Sequence, residues 1–402
     1  MLKKIFLNKK LLAVAFLSIG LSACSSTDDD EDDATKIAEL TEINQAFEVD
    51  VLWEASVGDG VGDYFSRLKP IVAYGKLYSA GRDGDVIAFE MESGKEIWST
   101  DLTDLNDERG FFDSRQPALL NGGPVAGIKK LFIGSENGDV YALNAESGEI
   151  DWQGKVKGEV ITAPAIDAGI LVVNSASGVM KAFNASSGQD EWQIEQEVPP
   201  LTLRGVSAPV ISAGGVLVGS ADGTLGVYIL ENGQQGWNLD VGEATGSTEL
   251  ERVIDVDSAP LIYGDKVYSI SSRGHLIAVD LRTGRMIWER QYSSFRQLAI
   301  SANTIFLTDI KGHIYAIDRQ NGFEKWSQLA LTNRGVTGPA AVGKYIVVGD
   351  FEGYLHWLDQ DTGDIVARHE VDSSGLHAAV TVHKNIIYVQ SRDGDLKAIK
   401  TP

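Results

Sequence analysis

Side chains able to do covalent or metal chemistry are sparse in this chain of 402 residues. Its only cysteine is Cys24, so neither a disulfide nor a vicinal cysteine pair can form within it. Of the six histidines, His275 and His313 hold equivalent places directly after Gly274 and Gly312. His356, His369, His377 and His383 show no zinc-ligand spacing and no nucleophile beside them. The triplets Asp83–Asp85 and Asp393–Asp395 bring carboxylates together, but they lack the alternating oxygen ligands of a calcium loop and read as Asp-Gly hairpin turns. No Gly-x-Ser-x-Gly elbow sits at a strand-to-helix junction. The expectation is therefore no catalytic residue, no metal site and no cofactor. What remains is the chemistry of binding.

The first 23 residues read as an export signal. Lys3, Lys4, Lys9 and Lys10 form a positive start, and Leu11–Leu21 is an apolar stretch too short to span a bilayer as a helix. Leu21-Ser22-Ala23-Cys24 resembles the lipobox at which bacterial lipoproteins are cleaved and acylated, which makes Cys24 the expected lipidation site. More than one acyl chain makes such an anchor durable. By the same resemblance, Ser25 after the acceptor cysteine points to the outer membrane, with the protein facing the periplasm. Net charge is −22, and −26 without the four signal lysines, which argues against a nucleic-acid partner. Asp28, Asp29, Asp30, Glu31, Asp32 and Asp33 repel one another, so residues 24–46 read as a flexible acidic tether with a reach on the order of 25 Å.

Positioning falls to an internal repeat. A Gly followed four residues on by a small residue, replaced once by Trp357, recurs eight times, at Gly84–Ala88, Gly138–Ala142, Gly178–Ala182, Gly223–Val227, Gly274–Ala278, Gly312–Ala316, Gly353–Trp357 and Gly394–Ala398. The spacings of 38 to 54 residues suit four-stranded propeller blades. Within each unit, β-branched and aromatic runs are bounded by Asp, Asn, Ser and Gly, as hairpins require. Pro70, Pro117, Pro164, Pro209, Pro260 and Pro339 mark first strands, where an inner edge tolerates the missing donor. Trp98, Trp152, Trp192, Trp237, Trp288 and Trp326 mark fourth strands; Ala367 takes that place in the seventh unit, and Trp357 is out of phase. The eighth unit lacks a fourth strand, while a surplus one, with Trp53, lies in Phe47–Gly58. Residues 47–402 thus predict an all-β, eight-bladed β-propeller of four-stranded antiparallel blades, closed by the N-terminal strand completing the C-terminal blade. The competing count is seven blades with a decayed repeat; eight Gly units and seven in-phase tryptophans favour eight.

Links from a fourth strand to the next first strand all emerge on one face. Measured from Trp to Pro, Trp152–Pro164 and Trp326–Pro339 span 12 and 13 residues, whereas Trp192–Pro209 spans 17 and Trp237–Pro260 spans 23. Extra connector length usually serves function. These two neighbours form one patch, and Pro199-Pro200 stiffens the first, lowering the entropy lost on docking. Leu201 and Leu203, flanked by Arg204 and the acidic pair Asp255 and Asp257, fit a small apolar interface with a polar rim. The opposing possibility is that the leucines fold back and Arg204 pairs internally with an aspartate. Phe111 and Phe112, in the long Trp98–Pro117 link, are either a second contact or a cover for the propeller mouth.

The Gly-x-x-x-Trp ending with its Ser/Thr/Asn-Gly turn resembles the repeat of pyrroloquinoline-quinone enzymes and their non-enzymatic relatives. With the lipobox, the length and the eight repeats, the whole chain from Cys24 to Pro402 looks like the propeller lipoproteins of the machinery that inserts β-barrels into the bacterial outer membrane. Its closer local matches are Leu201–Pro209, Ala244–Glu249 running to Asp255–Asp257, and Gly349–Trp357. The resemblance implies that Leu201, Leu203, Arg204, Asp255 and Asp257 contact the periplasmic domains of the barrel-forming subunit, and that unfolded outer-membrane proteins are further possible partners. Two rivals stay open: a quinone-dependent enzyme, disfavoured by the missing cysteine pair, and a glycan- or peptidoglycan-binding propeller using Tyr64, Phe65, Phe111 and Phe112.

Overall fold

The computed structural model describes residues 35–103, 105, 116–199, 201, 205–242, 248 and 253–402. The export signal, Cys24, the acidic run Asp28–Asp33, Phe111, Phe112, Leu203 and Arg204 lie outside the described residues. Among those described, 32 strands form eight four-stranded antiparallel sheets, which are the eight blades. Each blade consists of sequence-consecutive strands except the last. There, Asp50–Ser56 pairs as fourth strand with Asp395–Lys400, and Trp53 stands opposite Ala398.

Sequence dictates which strands are buried. Second and third strands, such as Lys76–Ala80 and Asp85–Glu90, are covered on both faces by neighbouring blades, so they run almost continuously apolar. Fourth strands, such as Glu96–Asp101, alternate between exposed and half-buried positions because only one face meets the next blade. Five of the six marker prolines directly precede an inner strand; Pro117 lies three residues ahead of Leu120–Gly127.

The tryptophans interlock the ring. Each fourth-strand Trp opposes the small third-strand residue of its own blade, with a β-bulge beside the pair in every blade. Its indole N–H donates to a backbone carbonyl of the next blade, from Met91, Ala145, Ala185, Leu230, Leu281, Arg319 or Gln360, at 2.8–3.3 Å. That carbonyl belongs to the residue just after the third strand. The same ring covers the turn glycine of the next blade. At Gly94, Gly148, Gly188, Gly233, Gly284, Gly322 and Gly363, an added Cβ would stand 2.4–2.8 Å from the indole. These glycines serve twice: φ is +68° to +79°, and the neighbouring indole needs the space a side chain would take.

The exception at Ala367 follows from how the ring closes. In the eighth blade the third and fourth strands come from distant parts of the chain, so no hairpin glycine joins them and there is nothing for a seventh-blade indole to cover. The large ring moves to the third strand instead. Trp357 opposes Ala367, is fully buried, and donates to Thr401 Oγ1 at 3.2 Å. Thr401 follows its third strand just as Met91 follows Asp85–Glu90. Phe47 adds an edge-on contact to Trp357 and a tilted one to Tyr345.

Part of the segment read as tether is docked. Residues 36–46 run along blades 6 and 7: Ala38 N donates to Thr332 O, Asn333 Nδ2 to Lys36 O, and Ala46 N to Val366 O. A buried charge network in the seventh blade holds this strap. Asp350, with no exposed surface, accepts from Arg334 Nε at 2.8 Å and His356 Nε2 at 3.0 Å. Arg334 also donates to Ala38 O, and Arg368 donates both to His356 Nδ1 and to Thr41 O. Since Arg368 can only donate, His356 Nδ1 must accept, which sets a neutral imidazole protonated on Nε2. Residues 36–46 are thus part of the folded body, because carbonyls of the strap satisfy guanidinium donors that would otherwise be buried unmet.

Candidate partner-binding face

Fourth-to-first connectors and second-to-third turns share one face, and the connectors converge on the mouth of the central channel. The two long connectors predicted to carry the contact surface are neighbours there. Their bases are sewn into the scaffold: Asn174 Nδ2 donates to Ser207 O, Ser207 Oγ to Ser258 O, Ser272 N to Asp255 O, and Val256 N to Ser220 O. The outer part of the first connector stays open, with Val198 and Leu201 36% and 44% exposed. A rigid base under an exposed apolar tip loses little entropy on docking.

The acidic pair does not form the expected polar rim. Asp255 and Asp257 are buried, at 0% and 3% exposure, because their connector turns inward beneath the first. Gly205 makes this possible: an added Cβ would lie 1.8 Å from Asp257 Cγ. A role for these carboxylates in partner contact would be to hold the Leu201 connector in place. Burial pushes the Asp257 carboxyl up to about 7, against the pull of the Arg67 guanidinium and with a further push from Asp255.

A raised carboxyl pKa gives stability that is present at low pH and lost as pH rises through about 7. Asp257→Asn should therefore be more stable than wild type at pH 8, by up to about 4 kcal/mol, with the gain shrinking toward pH 5. Urea midpoints at the two pH values check this. No gain at pH 8 would mean that the carboxylate is fully compensated where it sits.

Arg67 is the residue the sequence reading missed. It lies on the connector entering blade 1 and crosses the channel mouth, donating through Nη1 to Val206 O at 2.9 Å and Asp257 O at 3.0 Å. The available signal was length, since Trp53 to Pro70 spans 17 residues, as many as Trp192 to Pro209. Nothing local announces that an arginine will meet carbonyls 139 and 190 residues away.

The other candidates have ordinary surroundings. Tyr64 is 58% exposed, but Arg82 stacks on its ring with Cζ 3.7 Å from the centroid. His313 bonds Thr332 Oγ1 and lies 3.1 Å from Asp309, while His275 lies near Glu289. Among the described residues no three His, Cys, Asp or Glu side chains converge on a possible metal position.

An eight-bladed ring with interlocking tryptophans, presenting uneven connectors on one face, defines a propeller of the quinoprotein-like repeat class. The sequence model described as "Outer membrane protein assembly factor BamB" matches residues 82–328. A protein of that name from Shewanella oneidensis is 43% identical over 98% of this chain and 99% of its own length. The one from Escherichia coli is 36% identical over 97% and 99%. The crystal structure of BamB from Moraxella catarrhalis superposes with a TM-score of 0.77 at 26% identity, covering 88% of this chain and all of that one. The chain belongs to the BamB family of outer membrane protein assembly factors. Quinohemoprotein alcohol dehydrogenase from Comamonas testosteroni superposes with a TM-score of 0.66 at 13% identity, a likeness of fold alone.

Proposed function

We propose that this chain is a non-enzymatic scaffold for the assembly of outer-membrane β-barrel proteins, anchored through Cys24 to the outer membrane and facing the periplasm. Its connector face binds the periplasmic domains of the barrel-forming subunit of the assembly complex, and so aids folding and insertion of barrel substrates. The observation that carries this reading is the pair of long, neighbouring connectors, with exposed Val198 and Leu201 on a base fixed by buried hydrogen bonds. Membership of the BamB family supports the assembly role. Leu201, Leu203 and Arg204 make the contact in this reading, and Asp255 and Asp257 hold the connectors beneath it.

Leu201→Glu, Leu203→Glu and Arg204→Ala, each expressed as the full lipoprotein, test it by affinity purification from membranes. Each should reduce recovery of the barrel-forming subunit by about 30-fold or more, as for an interface hot spot. Melting should stay near that of wild type, because surface substitutions cost within about 0.5 kcal/mol. Recovery at wild-type level would place the contact elsewhere.

A further inference from the structure

Three cations converge where the central channel opens on the connector face, and none of them is among the contact residues proposed above. Arg67 and Lys69 come from the connector entering blade 1 and Arg296 from the one entering blade 6; all three line one cavity. The Phe65 ring stands between the guanidiniums, with its centroid 6.0 Å from Arg67 Cζ and 6.0 Å from Arg296 Cζ. Lys69 Nζ bonds Gln297 Oε1 at 3.3 Å, while Arg296 donates to the carbonyls of His377 and Gly335. These acceptors are neutral, and among the described residues the one carboxylate in the lining is Asp257.

Such a cluster opposes the character of the chain, which has 57 acidic and 35 Lys or Arg residues. Holding cations close together in an enclosed wall costs free energy unless an anion joins them. Burial lowers the Lys69 ammonium, and burial followed by Arg67 draws Arg296 down to about 10. Donors remain for a ligand: Arg296 uses two of its five N–H groups and Lys69 one of its three. An adjoining cavity of about 320 Å³, which shares Phe65, Arg67, Asp257 and Phe295 with the one that Lys69 and Arg296 line, has apolar walls from Phe65, Phe295 and Ile161. That volume lies at the small end of ligand sites. An inorganic ion would satisfy the cations and leave those walls wet, whereas an organic acid satisfies both.

We propose that the channel mouth is a binding site for an organic carboxylate, with Lys69 and Arg296 holding the charge and Phe65, Phe295 and Ile161 covering its apolar part. Two sources share this chemistry: an acidic segment of polypeptide carrying an aromatic or aliphatic side chain, and a free small dicarboxylic acid. The inference stands on the cavity, independent of whether Leu201 meets a partner.

Calorimetric titration of the mature chain separates the outcomes. The probes are the acetylated tripeptide Glu-Phe-Glu, its uncharged counterpart Gln-Phe-Gln-amide, and glutarate. The acidic tripeptide should bind saturably, and the uncharged one at least about tenfold more weakly, as one charged hydrogen bond implies. Lys69→Met should lower acidic-peptide affinity by at least about tenfold while melting at or above the wild-type temperature, because it removes a buried ammonium that pairs with no carboxylate. Arg296→Met should do the same to binding; since Arg296 also ties connectors together, Lys69→Met decides if that variant is unstable. Glutarate binding as tightly as the tripeptide supports the site and assigns it a free acid. Binding of the tripeptide alone supports the site and assigns it polypeptide. Equal affinity for charged and uncharged tripeptides, or unchanged affinity in Lys69→Met, overturns the proposal.

Discussion

Deleting Phe47–Ser56 is expected to abolish cooperative folding of the whole ring rather than fray one blade. The segment provides the entire fourth strand of the eighth blade, paired from Asp50–Lys400 to Ser56–Asp395. With it go the Trp53 indole bond to Met91 O, the cover over Gly94, and the Phe47 contacts with Trp357 and Tyr345. Loss of one buried Trp alone costs about 3–5 kcal/mol, and the strand contributes six register pairs besides. The sum is comparable to the whole stability of a typical domain, about 5–15 kcal/mol. The freed edge of Asp395–Lys400 also becomes a template for pairing with other chains, so the truncated protein should aggregate. Near-ultraviolet circular dichroism and light scattering at 37 °C are the measurements. A soluble truncation with a wild-type melt would show that the ring does not need its closing strand. Deleting Asp28–Asp33, by contrast, should leave the melt unchanged, which is the outcome that the tether proposed from the sequence requires.

The second large effect is expected at Asp350. Replacing it with Ala leaves Arg334 and His356, both buried, without the acceptor they share; breaking a buried pair in this way costs about 3–5 kcal/mol. The N-terminal strap should loosen with it, because Arg334 and Arg368 hold Ala38 and Thr41 from the same network. Urea denaturation at pH 7, together with limited proteolysis within residues 36–46, gives two independent readouts. A deficit under about 1 kcal/mol with an uncut strap would refute the account.

Acid should weaken this network in two stages. Burial holds His356 below the ordinary imidazole value despite Asp350, so the unfolded chain takes up a proton that the folded one refuses. Stability therefore falls as pH drops below about 6.5. Burial alone would raise the Asp350 carboxyl, but the donors His356 and Arg334 hold it lower, so a second loss follows below about pH 4. His377, drawn down to about 4 by burial, Arg392 and Arg296, acts in the same direction as His356. Asp257 acts oppositely over the interval from 7 downward, so its Asn variant should show the acid weakening more plainly than wild type.

Much of the architecture is local information and was legible as such. A hairpin turn needs its Gly and a half-buried strand needs its alternation within a few residues, so repeat count and strand order can be read directly along the chain. Even the ring closure follows from counting, with a surplus Trp53 strand at one end and a missing fourth strand at the other. Connector length and the adjacent Pro199-Pro200 singled out the Leu201 stretch as a contact candidate, and Leu201 is 44% exposed.

Tertiary structure decided what depends on residues far apart in sequence. It put Asp255 and Asp257 beneath the neighbouring connector, brought Arg67 across the mouth to carbonyls 139 and 190 residues away, and gathered Lys69 and Arg296 into one cavity. It also explained Trp357, whose shift to a third strand makes sense only beside Thr401 and a blade without a joining turn. The reason is physical. Periodicity records which face of a strand avoids water, whereas burial of a charge and convergence of charges depend on which connectors meet after the ring has closed.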